Sequence, residues 1–178
     1  IVTIAGLLLL LIPAIKELAA TEFKHNDYAV VQDMSLGECE PLYKGDVITQ
    51  TFITDRPFNH VGVKVYNDAG TTNESIYRME LLSEGGDILS HRDFIGAEAE
   101  NGGYCYLKFD DIIPNGKETY MIQLTPLHTT ETSVLMFGYY NTHQYDIYND
   151  GIMTRLNSDA RTDLAFTVFQ TITSGYFH

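Results

Sequence analysis

The residues with the clearest capacity for recognition chemistry lie in one run, Tyr139-Tyr140-Asn141-Thr142-His143-Gln144-Tyr145-Asp146-Ile147-Tyr148, which holds four of the chain's 12 tyrosines. Aromatic faces stack on the apolar faces of pyranose rings, and amide, imidazole and carboxylate groups pair with sugar hydroxyls. Tyr140, Asn141, His143, Tyr145 and Tyr148 are therefore the candidate ligand-binding residues, with a glycan as ligand. Trp, the commonest sugar-stacking side chain, is absent from the chain. The competing reading is that these tyrosines cover the edge of a sheet.

Other constellations are thinner. Asp110-Asp111 is a carboxylate pair of the kind that could do acid/base work, but neighbours in a strand point to opposite faces, and solvated turn residues before Pro114 are the simpler reading. No H-E-x-x-H, G-x-S-x-G, Walker loop or strand-linked G-x-G-x-x-G occurs, and no two of the six histidines stand two or four residues apart, as a shared metal would need. The chain is expected to be non-catalytic, with no cofactor and no bound metal. Two acidic loops, Asn67 to Glu74 and Tyr148 to Gly151, have oxygen ligands suited to Ca²⁺, but lack EF-hand spacing and read as solvated turns. Asn73-Glu74-Ser75 fits the N-glycosylation pattern. Cys39 and Cys105 fit one disulfide of an extracytoplasmic domain, or else Cys105, which alternates with Leu107 and Phe109 on the apolar face, is a free buried thiol.

The elements that position these groups follow from the hydropathy pattern. Ile1 to Ile15 carries no charge, and Lys16 and Glu17 are the first ionisable side chains. Fifteen helical residues rise only about 22 Å, short of the roughly 30 Å hydrocarbon core. Residues 1–20 therefore read as the end of a transmembrane helix or signal anchor that continues upstream, with a secretory signal or a buried core helix as alternatives. The membrane-linked readings place the folded body outside the cytoplasm. Residues 21–42 read as a connecting segment and 43–178 as a β-sandwich domain. Short alternating runs recur through this body: Asp46 to Thr54, Val61 to Val65, Glu74 to Leu82, Ile88 to Phe94, Tyr104 to Phe109, Tyr120 to Leu124, Val134 to Tyr140 and Leu164 to Phe169. Turn sequences at Glu84 to Asp87 and Pro114 to Lys117 separate some of them. About eight strands without an intervening helical pattern predict an all-β, two-sheet jelly roll preceded by a short hydrophobic helix.

Three of these segments, GDVITQTFITDRPFNHVGVKV (Gly45 to Val65), FDDIIPNGKETYMIQL (Phe109 to Leu124) and DLAFTVF (Asp163 to Phe169), occur in a familiar order. Together they resemble the extracellular jelly-roll domains, similar to galactose-binding and carbohydrate-binding modules, carried by polytopic cell-envelope proteins of mainly Gram-positive bacteria. The resemblance implies the fold and glycan recognition; it assigns no catalytic residue. With 11 Lys and Arg against 24 Asp and Glu, a formal charge of −13, the chain lacks the basic surface that nucleic acid requires, and any membrane attachment must be hydrophobic. The expected partner is thus an envelope glycan, with packing against envelope proteins as a structural subunit the rival.

Overall fold

The computed structural model describes residues 22–32, 39–141, 148, 150–155, 158–159 and 162–175. The expected N-terminal helix, residues 1–20, lies outside these. Among the described residues no helix is long and apolar enough to cross a membrane. The chain divides into two compact units, residues 1–27 with 171–178 and residues 28–170.

The described residues form strands β1 (Glu22–Gln32), β2 (Cys39–Pro41), β3 (Ile48–Thr54), β4 (Phe58–Tyr66), β5 (Ile76–Ser83), β6 (Ile88–Ile95) and β7 (Tyr104–Ile112). They continue as β8 (Glu118–His128), β9 (Met136–Asn141), β10 (Met153–Arg155), β11 (Ser158–Asp159), β12 (Thr162–Leu164) and β13 (Phe166–Gly175), with single 3₁₀ turns at Gly70–Thr72 and Gly96–Glu98. The segment 21–42 is therefore not a bare connector, since it supplies β1 and β2. Neither announces itself by alternation: β1 opens on the mixed run Glu22-Phe23-Lys24-His25-Asn26-Asp27, and β2 has only three residues whose conformation is set by pairing with β9. In the first unit, the start of β1 lies beside the end of β13, and Thr171 Oγ1 donates to Asn26 Oδ1 (3.1 Å).

Two sheets result. One has seven strands, ordered β1-β13-β4-β9-β12, with β2 on β9 and β7 on β4. The other has six, ordered β11-β10-β3-β8-β5-β6. β13 pairs with β4 through Phe166 and Val63, while β12 pairs with β9 through Leu164 and Tyr139, so the closing segment enters where β4 and β9 part.

Period-two alternation sends one side of every central strand inward. Val61, Val63 and Val65 of β4 and Tyr77, Met79 and Leu81 of β5 are buried from the two sheets, as their spacing predicts. The hub is Phe52 of β3, whose ring centroid lies 5.6 Å from Tyr120, 5.7 Å from Phe58 and 6.0 Å from Phe166. Beside it Gln50 faces inward and is fully buried, a position that would be costly without partners. Its Nε2 donates to Asp163 Oδ1 (3.2 Å) and its Oε1 accepts from Leu164 N (2.8 Å). Gln50-Thr51-Phe52, Asp163-Leu164-Ala165-Phe166 and Tyr120 of the turn-strand segment thus meet at one place. A second tie is Tyr77, whose hydroxyl donates to Leu42 O (3.0 Å) and accepts from Leu135 N (2.9 Å). Burial pushes that hydroxyl's pKa up to about 12.

The cysteines do not bond. Cys39 of β2 lies opposite Gly138 of β9, Phe137 opposite Val65 of β4, and Val63 opposite Cys105 of β7. Three strand spacings, about 14 Å, thus separate the two, against a reach of about 7 Å between Cα atoms for a disulfide. Both are free thiols, and Cys39 Sγ lies 3.9 Å from Met136 Sδ. The spacing in the sequence allowed the bond; the strand order forbids it. Burial pushes the Cys105 thiol up to about 11, and burial also raises that of Cys39, with the Asp68 charge adding to it. A thiol assay in denaturant without reductant should accordingly count two thiols per chain, while the folded protein at pH 8 should react slowly because little thiolate is present. A count of zero would show that the two are bonded.

Candidate binding site

The tyrosine run divides among different surroundings. His143 and Tyr145 lie outside the described residues. Tyr140 lies half-buried near the end of β9, opposite Asp163, and Asn141 is the strand's last residue, opposite Thr162. Tyr148 is an anchor rather than a platform. Its ring meets Phe166 edge-on at 5.5 Å, and its hydroxyl accepts from Ile53 N (2.9 Å). Gly151 makes this anchor fit, because a Cβ there would stand 2.1 Å from Thr51 O and 2.6 Å from the Tyr148 ring.

A different aromatic array stands on the outer face of the seven-stranded sheet. Since Val61 and Val63 of β4, Leu107 of β7, and Phe166 and Val168 of β13 point inward, their alternates His60, Gly62, Lys64, Tyr104, Tyr106, Lys108, Thr167 and Phe169 point out. The register sets them in rows: Tyr104 opposite Lys64; Tyr106, Gly62 and Thr167 abreast; Lys108, His60 and Phe169 abreast. Tyr104 and Tyr106 stack with centroids 5.9 Å apart and planes 20° from parallel. Phe169 is enclosed by His60 (4.8 Å, 6°), Tyr28 of β1 (5.3 Å) and Tyr106 (5.7 Å), so this outward phenyl is only 5% exposed while Tyr28 and Tyr106 remain 44% and 41% exposed.

Gly62 decides the lie of Tyr106. A Cβ at this position would come within 2.6 Å of two Tyr106 ring atoms and 3.1 Å of Thr167 Oγ1, so the ring leans over β4 only because no side chain is there. Thr167 Oγ1, buried beside it, makes no hydrogen bond. His60 Nδ1 donates to Asn59 Oδ1 (2.6 Å); desolvation lowers the imidazole's pKa below its usual range, and the Lys108 charge lowers it further. Arg92 of β6 reaches over to donate to Tyr106 O (3.0 Å) and pairs with Glu98 (3.0 Å). The outcome is a partly exposed, polar-tipped aromatic surface of the kind that can stack a ring and hydrogen-bond around its rim. Its signal in the sequence is the alternation of Tyr104, Tyr106 and Lys108 with Cys105, Leu107 and Phe109, which reads first as a strand pattern.

The remaining candidates fall elsewhere. Asp110 and Asp111, at the end of β7, both border an open cleft of about 640 Å³ with Leu89, Phe109, Ile113 and Glu118. Asp111 Oδ1 accepts from Asn59 Nδ2 (2.7 Å). Glu118 accepts from Tyr120 Oη (2.6 Å) and Asn115 N (3.0 Å), and these bonds hold its carboxyl below the usual range.

The Asn67 to Glu74 loop is not a solvated turn. Asn67 Nδ2 donates to Gly70 O (3.0 Å), Gly96 O (2.9 Å) and Ala99 O (2.9 Å). Asn73 Nδ2 donates to Asn67 Oδ1 (2.9 Å) and Val134 O (3.0 Å). Asn73 is fully buried, so the glycosylation pattern there is closed in the folded chain. Among the described residues, no group of three or more His, Cys, Asp or Glu side chains is arranged to hold a metal.

No protein-family model matches the chain, and no curated protein does. Among solved structures it is similar to one of Clostridium perfringens ZmpB, comprising the M60 catalytic domain with the CBM51-1 and CBM51-2 domains. The identity is 11% and the TM-score 0.30, over 77% of this chain and 18% of that chain. The present chain therefore spans less than a fifth of that protein's length.

Proposed function

We propose that this chain is a non-catalytic, extracytoplasmic recognition module with a jelly-roll fold, held at the membrane through its N-terminal apolar segment, and that it binds a cell-envelope glycan on the aromatic face around Tyr104 and Tyr106. The Gram-positive envelope setting belongs to the same proposal. The order β2-β9-β4-β7 in one sheet and β3-β8-β5-β6 in the other supports the jelly roll, because from β2 to β9 successive strands alternate between the sheets except at the β5–β6 hairpin, as two nested Greek keys require. The uncharged run Ile1 to Ile15 supports the anchor.

The single observation that carries the binding reading is the pair of stacked, outward-facing tyrosines with Gly62 clearing space for one of them. Tyrosine offers a ring to stack and a hydroxyl to bond. Tyr104→Ala with Tyr106→Ala should abolish retention on a glycan array while thermal melting falls only a few degrees. Gly62→Ala, which pushes the Tyr106 ring aside, should weaken retention in a protein that still folds. A folded double variant with the parental array profile would reject the site.

One feature favours a second reading, packing against envelope proteins. β6 is an edge strand whose Ile88, Leu89 and Ile95 are 57%, 44% and 45% exposed, an apolar edge of the kind that protein partners cover. Under that reading Ile88→Lys, and not the tyrosine changes, should break association.

A further inference from the structure

The turn Pro114-Asn115-Gly116-Lys117 carries the chain from β7 in the seven-stranded sheet to β8 in the six-stranded sheet. Asn115, Gly116 and Lys117 are all exposed. The main-chain N–H of Asn115 donates to Glu118 Oε1 (3.0 Å) and so pins the start of the turn. The Asn115 side-chain amide and the N–H of Gly116, by contrast, have no hydrogen-bond partner among the described residues. Space around Gly116 is open as well, for a Cβ built there would meet nothing within 4 Å. Asparagine followed by glycine is the pair in which a side-chain amide reacts most readily with the next main-chain nitrogen, because glycine has no Cβ to obstruct the approach. Hydrogen bonds on either group oppose the reaction. The chain holds a second such pair, Asn101-Gly102, and there both groups are engaged. Asn101 Oδ1 accepts from Asn67 N (3.0 Å), and Gly102 N donates to Val65 O (2.9 Å). The same dipeptide thus stands in one fold once restrained and once free.

We propose that Asn115 is a site of spontaneous deamidation and isomerisation, and that the fold protects Asn101 from the same reaction. Hydroxide takes the proton of the Gly116 nitrogen, which forms a bond to Asn115 Cγ. The Cγ–Nδ2 bond breaks, and the nitrogen leaves as ammonia with a proton from solvent, closing a five-membered succinimide. Water then adds to one of the two imide carbonyls and opens the ring. Opening at Cγ restores the main chain and leaves aspartate; opening at the main-chain carbonyl leaves isoaspartate, whose main chain runs through Cβ and Cγ. Nothing is oxidised or reduced, and solvent water is the co-reactant. Either product puts a new carboxylate in the turn that already holds Glu118, and isoaspartate adds one main-chain atom to the connection between the sheets.

The test ages the purified full chain in mildly alkaline buffer and digests it with trypsin, which separates the two pairs: Asn115 falls in the peptide Phe109 to Lys117 and Asn101 in Asp93 to Lys108. Mass spectrometry should show the first peptide gaining the mass of an amide-to-acid conversion at least about tenfold faster than the second, as two hydrogen bonds broken at Asn101-Gly102 would give. The rate at Asn115 should rise with pH, since the attacking nitrogen must be deprotonated. In urea the two peptides should convert at comparable rates, with Asn101 accelerated and Asn115 little changed. Asn115→Gln, which would have to close a larger ring, should stop conversion of its peptide in a chain that folds as before. Equal rates in the folded chain would overturn the inference, as would conversion at Asn115 that begins only after unfolding. Faster loss of Asn101 than of Asn115 from the folded chain would reverse the assignment outright.

Discussion

Phe52→Ala is expected to destabilise the protein by about 3 to 5 kcal/mol, the range for removing a buried aromatic that the surroundings cannot replace. The side chain is fully buried, and its neighbours Phe58, Tyr120 and Phe166 come from β4, β8 and β13. These strands belong to different sheets, so the cavity cannot close by moving one side chain. Phe52→Leu keeps most of the volume and should cost clearly less. Chemical denaturation followed by far-UV circular dichroism measures both. A loss below about 1 kcal/mol for the alanine variant would mean that the three motif segments do not converge on this ring.

Asn67→Ala should also destabilise the protein, for a different reason. The side chain adds little apolar area, but its removal leaves Ala99 O without its donor, takes one of two donors from Gly70 O and Gly96 O, and leaves Asn73 Nδ2 without one acceptor. Each buried polar group left unpaired costs about 1 to 3 kcal/mol, so the net loss should be about 2 kcal/mol or more. Asn67→Asp discriminates between a packing role and a donor role. It preserves the shape, yet turns a carboxylate toward three carbonyls, and should therefore destabilise at least as much as alanine at neutral pH. If the aspartate variant were as stable as the parent, the network would not be holding the two 3₁₀ turns together.

Alternation made most of the sandwich legible, because a strand with one buried face must repeat with period two, and β3 to β9 fall where their alternating runs lie. The inward sets Val61, Val63, Val65 and Tyr77, Met79, Leu81 needed nothing beyond that rule. Gln50 broke the rule by type while obeying it by position: a polar residue in the inward series becomes intelligible only when Asp163 and Leu164, more than 110 residues away, supply its partners. The short strands β2, β10, β11 and β12 escaped for the same reason, since two or three residues carry no period and their conformation is imposed by the neighbouring strand.

The binding face shows the same division. Composition and local spacing determined that the chain is acidic, all-β in pattern, rich in tyrosine and without a recognisable catalytic motif, because these are properties of residues and their near neighbours. They pointed to the cluster most dense along the chain, Tyr139 to Tyr148, whose last member, Tyr148, is turned inward to Ile53 and Phe166. Only the pairing of β4 with β7 on one edge and β13 on the other brought Tyr104, Tyr106, His60, Phe169 and Lys108 onto one outer surface, and placed Gly62 where the Tyr106 ring could lie. The same strand order set Cys39 and Cys105 three strands apart. Proximity between residues distant in sequence is decided by register and strand order, which depend on the packing of both sheets at once.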